Sequence, residues 1–266
     1  MIRTIALSAF VALFAAPALA VTQAEILSAE VLPGWQTDSG TQMAALRLTL
    51  APDWKTYWRS PGEAGIPPLF DWSDSRNVAS VRLHWPRPQV FTLNGMQTIG
   101  YKHELVLPIE VTPIDAGRPI LLRADIELGV CRDICMPAAL TLSADLDGPG
   151  APDAAIRKAL KDRPESPTEA GLADIGCTVE PISDGLRLTA TLRMPATGGE
   201  ETVVFEPHGG AIWVSQSDVR RTGGELVAKA DLVPDSGGPF ALDRSGITVT
   251  VLGRDRAVEI RGCPAP

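Results

Sequence analysis

Residues 120–146 read ILLRADIELGVCRDICMPAALTLSADL and carry the strongest structural signal in the chain. Apolar and polar residues alternate on both sides of the Cys-Arg-Asp-Ile-Cys segment, as they do in half-buried β-strands. Two such runs around a short polar segment predict an antiparallel hairpin whose tip is Arg132-Asp133-Ile134. The hairpin would place Cys131 opposite Cys135, at a Cα separation of about 4.5–5.5 Å that a disulfide accepts.

The same alternation predicts where the two sulfurs point. Cys131 falls on the polar face of the incoming run with Arg123 and Asp125, and Cys135 falls on the polar face of the outgoing run with Thr141. We therefore expect both sulfurs to be accessible near the end of a sheet. Thiol–disulfide exchange requires such access, because the attacking thiolate must reach a sulfur in line. An inert hairpin staple is the alternative.

The rest of the sequence predicts an all-β protein. Period-two runs recur along the chain, separated by turn segments rich in the 24 glycines and 23 prolines. Short strands at this spacing favour two immunoglobulin-like β-sandwich domains. We expect the first domain at residues 21–147 and the second at 175–266. Residues 148–174 should form a linker with a short helix at 154–161, for which Asp153 is the expected N-cap.

Residues 1–20 have the pattern of a secretory signal peptide. Arg3 supplies the positive start, residues 5–16 the apolar run, and Ala18-Leu19-Ala20 the cleavage pattern, with cleavage expected after Ala20. The apolar run is too short to span a bilayer. We therefore expect a periplasmic protein with no membrane insertion of its own. A formal net charge of −8 argues against nucleic acid as a partner.

Cys177 and Cys263 lie at the two edges of the second domain. A bond between them would enclose 85 residues. Closing such a loop stabilises the folded chain by about 4–5 kcal/mol in the chain-entropy model, which indicates a structural disulfide. Four cysteines allow three pairings, so crossed bonds stay possible on sequence grounds.

Several further segments resemble a known family. They are DWKTYWRSPG at 53–62, PPLFDW at 67–72, Trp85-Pro86, Gly100-Tyr101 and the cysteine segment at 128–137. Together they are similar to the N-terminal periplasmic domain of the thiol:disulfide interchange protein DsbD, most closely to its ScsB (suppressor of copper sensitivity) branch. The resemblance implies an immunoglobulin-like fold with a redox-active cysteine pair. It also implies a separate membrane-embedded thiol reductase as electron donor and periplasmic thioredoxin-like proteins as acceptors.

By this resemblance Cys131 and Cys135 are the catalytic pair of a thiol–disulfide interchange component that needs no cofactor. The first cysteine is expected to be the more exposed. Arg132 lies beside it and favours a thiolate there, while Asp133 opposes this effect. The expectation is therefore that a partner attacks Cys131.

The resemblance also implies a loop that caps the cysteines. Phe91 and Leu93 occupy the matching stretch, and Tyr57 and Trp58 are candidates to line the site together with Arg132. Packing in a sandwich core is the alternative for these aromatic side chains.

Metal binding is the rival chemistry. Cys131, Cys135 and Met136 are soft ligands of the kind that Cu(I) prefers, so a periplasmic copper-tolerance protein is an alternative function. A third class is a non-catalytic interaction module in which both disulfides are structural.

Overall fold

The computed structural model describes residues 22–93, 95–209, 212–235, 237 and 240–266. The expected signal peptide and its cleavage after Ala20 lie outside the described residues. Within the described part of the chain, no helix is both long and apolar enough to cross a membrane.

The first half of the chain forms two packed sheets preceded by a single helical turn, α1 (Gln23–Ile26). Its strands are β1 (Leu27–Gln36), β2 (Gln42–Leu50), β3 (Lys55–Tyr57), β4 (Leu69–Asp71), β5 (Ser80–Leu83), β6 (Gln89–Leu93), β7 (Met96–Lys102), β8 (Glu104–Thr112), β9 (Ile120–Cys131) and β10 (Cys135–Leu146). One sheet has the order β1, β2, β8, β5. The other has the order β10, β9, β3, β7, β6, and β4 also pairs with β9.

The core of this first sandwich follows from the alternation of its strands. Leu46 and Ile109 of one sheet belong to the same buried cluster as Leu122, Ile126 and Val130 of the other. Burying side chains of this size stabilises the fold by about 1.5–3 kcal/mol each. The alternate residues of β9, which include Arg123 and Asp125, lie on the outer face of the sheet, and the cysteine pair lies on that face too.

Two short helices, α2 (Ala154–Lys161) and α3 (Pro167–Ala170), connect the halves. The Asp153 carboxylate accepts hydrogen bonds from the Ala155 and Ile156 backbone N–H groups, which fixes the start of α2 as an N-cap does. Ile156 packs against Met43 and Ala45 on the outer side of the first sandwich. The connecting segment is therefore anchored to the first sandwich.

The second half forms another pair of sheets. Its strands are β11 (Asp174–Pro181), β12 (Leu186–Arg193), β13 (Thr202–Glu206), β14 (Ile212–Val214), β15 (Asp218–Thr222), β16 (Glu225–Pro234), β17 (Thr248–Leu252) and β18 (Ala257–Arg261), with a 3₁₀ turn at Arg244–Gly246. One sheet has the order β11, β12, β16, β14, with β15 also paired to β16, and the other has the order β13, β17, β18. The predicted fold class, all-β with two immunoglobulin-like sandwiches and a helix between them, is confirmed.

The two sandwiches contact each other directly. Leu252 and Ala257 of the second belong to the buried cluster of the first. Arg59, two residues after β3, forms hydrogen bonds to Glu206 at 2.8 and 2.9 Å and to Glu259 at 2.7 Å. The C-terminal end of β3 is therefore held to the second sandwich by the hydrogen bonds of Arg59.

Candidate redox site at the hairpin tip

The β9–β10 hairpin has an unbroken register from Ile120 opposite Leu146 to Cys131 opposite Cys135. The tip is closed by a hydrogen bond of 3.2 Å from the Arg132 N–H to the Ile134 carbonyl oxygen. Cys131 and Cys135 form a disulfide with their Cα atoms 4.1 Å apart. The alternation of the two strands places this disulfide on the outer face of the sheet.

The two sulfurs differ in accessibility. Cys135 is exposed, whereas Cys131 is 2% exposed. The expectation that both sulfurs are accessible, and that Cys131 is the more exposed, is therefore wrong. Strand β10 is at the edge of the sheet, but β9 has a neighbour on its other side, where Lys55 of β3 pairs with Cys131. The side chains of β3 cover the sheet face at that point.

Tyr57 is the side chain that covers the buried sulfur. Its hydroxyl donates a hydrogen bond of 2.9 Å to Cys131 Sγ and lies 3.3 Å from Cys135 Sγ. Burial raises the pKa of the Tyr57 phenol, so the hydroxyl stays protonated and available as a donor. The site therefore contains a buried proton donor in contact with both sulfurs.

Gly129 makes this arrangement possible. A Cβ atom at this position would lie 3.1 Å from Tyr57 Cε2 and 2.8 Å from Ile66 Cβ. A glycine inside a strand often marks such a close approach. The sequence pattern did not assign Gly129 to the site, although a glycine inside a strand was a signal that could have done so.

The neighbouring aromatic residue does not belong to the site. Trp58 directly follows β3, is hydrogen-bonded through its backbone N–H to the Ile99 carbonyl oxygen of β7, and is fully buried in the core of the first sandwich. Its proposed role in lining the cysteines is therefore wrong, because adjacent residues of a strand point to opposite faces.

Arg132 is held at the tip by its own neighbours. Its guanidinium lies 5.4 Å from the centre of the Trp54 ring, and its Nε is 3.0 Å from Asp133 Oδ2. The Asp133 carboxylate thus offsets much of the positive charge that was expected to favour a thiolate at Cys131.

Phe91 lies on the same face as the disulfide but at the far edge of the sheet. Strands β3 and β7 separate its strand from β9. Its ring lies 5.2 Å from Lys55 Nζ and 5.0 Å from Lys102 Nζ. The expected cap over the sulfurs is supplied instead by Tyr57, and the side chain of Leu93 lies outside the described part of the structure.

The proposed copper ligands are not brought together. Met136 pairs with Val130, so it lies on the core face of the hairpin and is half-buried there, opposite the two sulfurs. Among the described residues, no group of three or more histidine, cysteine or acidic side chains is arranged to hold a metal ion. Met136 as a partner of Cys131 and Cys135 in a Cu(I) site is therefore wrong.

The second disulfide has a different setting. Cys177 and Cys263 are bonded with their Cα atoms 5.5 Å apart. Both are 0% exposed and belong to the buried cluster of the second sandwich. A thiolate from another protein has no path to either sulfur.

Comparison with known proteins agrees with this geometry. Residues 23–146 match the family model described as the N-terminal domain of the thiol:disulfide interchange protein DsbD. The crystal structure of the N-terminal periplasmic domain of ScsB from Proteus mirabilis is similar over 93% of this chain and 96% of that one, with a TM-score of 0.70 and 23% sequence identity. No curated protein matches the sequence. Residues 23–146 therefore form a domain of the DsbD N-terminal family, a thiol:disulfide interchange module.

Proposed function

We propose that this chain relays electrons in the periplasm by disulfide exchange at Cys131–Cys135. The donor is a membrane-embedded thiol reductase, and the acceptors are periplasmic thioredoxin-like proteins. One observation carries the proposal: the disulfide joins an exposed residue, Cys135, to a buried one, Cys131, whose sulfur accepts a hydrogen bond from Tyr57. That asymmetry separates the sulfur that is attacked from the sulfur that leaves.

In the reducing step a donor thiolate attacks Cys135 Sγ, which is the sulfur it can reach. The Cys131–Cys135 bond breaks, and Cys131 Sγ takes the electron pair as a thiolate. The Tyr57 hydroxyl donates a hydrogen bond to that thiolate, at the 2.9 Å already present in the disulfide form. The donor's second thiol then attacks the donor sulfur that is bonded to Cys135. A disulfide forms within the donor, and Cys135 is released as a thiolate.

In the oxidising step the direction is reversed. The Cys135 thiolate attacks one sulfur of an acceptor's disulfide, breaks that S–S bond, releases the other acceptor sulfur as a thiolate and forms a mixed disulfide. The Cys131 thiolate then attacks Cys135 Sγ, re-forms the Cys131–Cys135 bond and releases the acceptor thiol, so that two electrons have moved. The Tyr57 oxygen also lies 3.3 Å from Cys135 Sγ, so its single proton can be donated to one sulfur or the other in turn.

The second sandwich supports the strand that carries Tyr57. The Arg59 guanidinium lies 4.3 Å from the centre of the Trp58 ring and is hydrogen-bonded to Glu206 and Glu259. Interactions of charged, hydrogen-bonded groups that are largely buried contribute about 1.5–3 kcal/mol each. We infer that the second sandwich stabilises the position of β3 and takes no part in the chemistry.

Two experiments test the proposal. Mass-tagged alkylation after mild dithiothreitol treatment should label Cys131 and Cys135 while Cys177 and Cys263 stay bonded; equal resistance of both disulfides would favour an inert module.

The second experiment tests the order of attack. In the producing strain, Cys131→Ala should accumulate a mixed disulfide between Cys135 and a periplasmic thioredoxin-like acceptor, because Cys131, the thiol that resolves this complex, is missing. Cys135→Ala is the matched control and should trap little. Trapping through Cys131 alone would contradict the assignment of Cys135 as the attacked sulfur.

A further inference from the structure

A basic patch lies on the same sheet face as the redox disulfide. It consists of Lys55 on β3, Lys102 and Thr98 on β7, and Phe91 on β6. Lys55 pairs with Cys131 on one side and with Lys102 on the other, and Thr98 pairs with Phe91. Directly paired residues of neighbouring strands project from the same face, so the patch continues the surface that carries the disulfide.

The patch is electrostatically unfavourable within the chain itself. Like charges directly opposite each other destabilise a pair of strands. Burial, and then the charge of Lys102, lower the pKa of Lys55. No carboxylate of the described residues lies within 4.0 Å of either ammonium group. Two uncompensated cations are thus held side by side in a protein with a net charge of −8.

Specific contacts hold both cations in place. The two ammonium groups lie over the same Phe91 ring, at 5.2 and 5.0 Å from its centre, where the electron-rich face attracts them. Lys55 Nζ also donates a hydrogen bond of 2.9 Å to Thr98 Oγ1. The positive charge is therefore fixed on this face.

We propose that the basic patch is a docking surface for acidic side chains that flank the reactive sulfur of a partner protein. The inference rests on the proposed exchange at Cys135. Strands are about 4.8 Å apart, so Lys55 and Lys102 start two and three strands away from Cys135, at about 10 and 14 Å across the sheet. An acidic group beside the partner's sulfur would meet the lysines when that sulfur reaches Cys135. Complementary charges of this kind raise association rates and fix orientation.

The remaining surface around the site fits a small protein contact. Ile134, at the hairpin tip, is 68% exposed, and Met96, at the start of β7, is 50% exposed. Transient redox complexes use small interfaces, of less than about 1,200 Å².

The contacts of the lysines favour docking over tuning of the thiols. Lys102 Nζ lies over Phe91, at the edge of the sheet away from Cys131, and Lys55 Nζ lies between that ring, at 5.2 Å, and the Tyr57 ring, at 5.9 Å. Among the described residues the hydrogen-bond partner of the sulfurs is Tyr57 and not a lysine, so the charge of both ammonium groups is available to an incoming molecule.

The test uses two reduced peptides, each with one cysteine flanked on both sides by two glutamates or by two glutamines. Each peptide is used to reduce the Cys131–Cys135 disulfide, and rates are expressed per thiolate to remove the difference in peptide pKa. At an ionic strength of about 0.01 M, where the Debye length is about 30 Å, the glutamate peptide should react about tenfold faster. At about 1 M salt the preference should disappear.

The double variant Lys55→Gln with Lys102→Gln should abolish the preference for the glutamate peptide and leave the rate of the glutamine peptide unchanged. Lys229→Gln, on an exposed position of β16 in the second sandwich, is the control of equal chemistry and should change neither rate. The double variant should fold normally, since it removes a like-charge pair, and its Tm checks this.

The outcomes are distinguishable. A glutamate preference that is absent, or that survives in the double variant, overturns the docking surface while the exchange reaction stands. If neither peptide opens Cys131–Cys135, the proposed function itself fails.

Discussion

The two disulfides of this chain occupy similar sandwiches and have opposite environments. Cys131–Cys135 closes a hairpin tip, with one sulfur exposed and the other in contact with a tyrosine hydroxyl. Cys177–Cys263 joins the start and the end of the second sandwich, and both sulfurs are fully buried. The position of a disulfide in the fold, more than the fold itself, therefore separates a reversible bond from a structural one.

The largest expected difference between the two is in stability. Removing Cys177–Cys263 by a double alanine substitution should lower the free energy of unfolding by about 4–5 kcal/mol, because the bond constrains a long loop of the unfolded chain. Removing Cys131–Cys135 in the same way should cost only about 2 kcal/mol, since the enclosed loop is very short. Urea unfolding of both variants measures the difference. Equal losses would contradict the division into a structural and a redox disulfide.

The next effect concerns the close packing beside the redox disulfide. Gly129→Ala should destabilise the first sandwich by about 1–3 kcal/mol, because the new methyl group would displace Ile66 or Tyr57. Gly224→Ala is the matched control in the second sandwich, where a Cβ meets nothing within 4 Å. Thermal unfolding of both variants should show a lower Tm for Gly129→Ala and an unchanged Tm for Gly224→Ala. An unchanged Tm for Gly129→Ala would mean that Tyr57 is not held against the strand.

A smaller and more specific effect is expected from the phenol. Tyr57→Phe removes the hydrogen bond that Cys131 Sγ accepts, and this bond stabilises the charged form of the thiol. The pKa of Cys131 in the reduced protein should therefore rise by about one unit, which is a tenfold loss of thiolate at a pH below that pKa. Thiolate absorbance at about 240 nm against pH, in a Cys135→Ala background, measures the shift.

The control for Tyr57→Phe is the other tyrosine of the chain. The Tyr101 hydroxyl donates a hydrogen bond of 2.8 Å to the Pro86 carbonyl oxygen, on the core face of the same sheet. Tyr101→Phe should lower stability without changing the pKa of Cys131. A shift of equal size in both variants would indicate a general loosening of the sheet.

Much of this site could be predicted from the sequence because the hairpin is a local structure. Alternation alone gave the register of β9 and β10 and the apposition of Cys131 and Cys135. The same alternation, applied to Met136, would have excluded it as a copper ligand, since residues adjacent in a strand lie on opposite faces. The fold class followed from the same repeated pattern.

The burial of Cys131 could not be predicted in this way. Alternation shows which face a side chain occupies, but what covers that face depends on strands distant in the sequence. Tyr57 is 74 residues from Cys131, and it reaches the sulfur only because β3 pairs with β9. The resemblance predicted that Phe91 lies over the cysteines. The order of the strands, which depends on pairings distant in the sequence, places it beside Lys55 and Lys102 instead.

The smallest effect should come from the charged residue nearest to the cysteines. Arg132 is paired with Asp133 and lies over Trp54, so little of its charge acts on the sulfurs. Arg132→Gln should therefore change the rate at which dithiothreitol opens Cys131–Cys135 by no more than about twofold, the size expected of an exposed ion pair. Asp133→Asn is the complementary variant and should accelerate the reaction by a similarly small factor, because it leaves the arginine unpaired. If the rate fell tenfold in Arg132→Gln, the charge at the hairpin tip, and not Tyr57, would control the reactivity of Cys131–Cys135. The two disulfides would then differ because of a local charge and not because of burial.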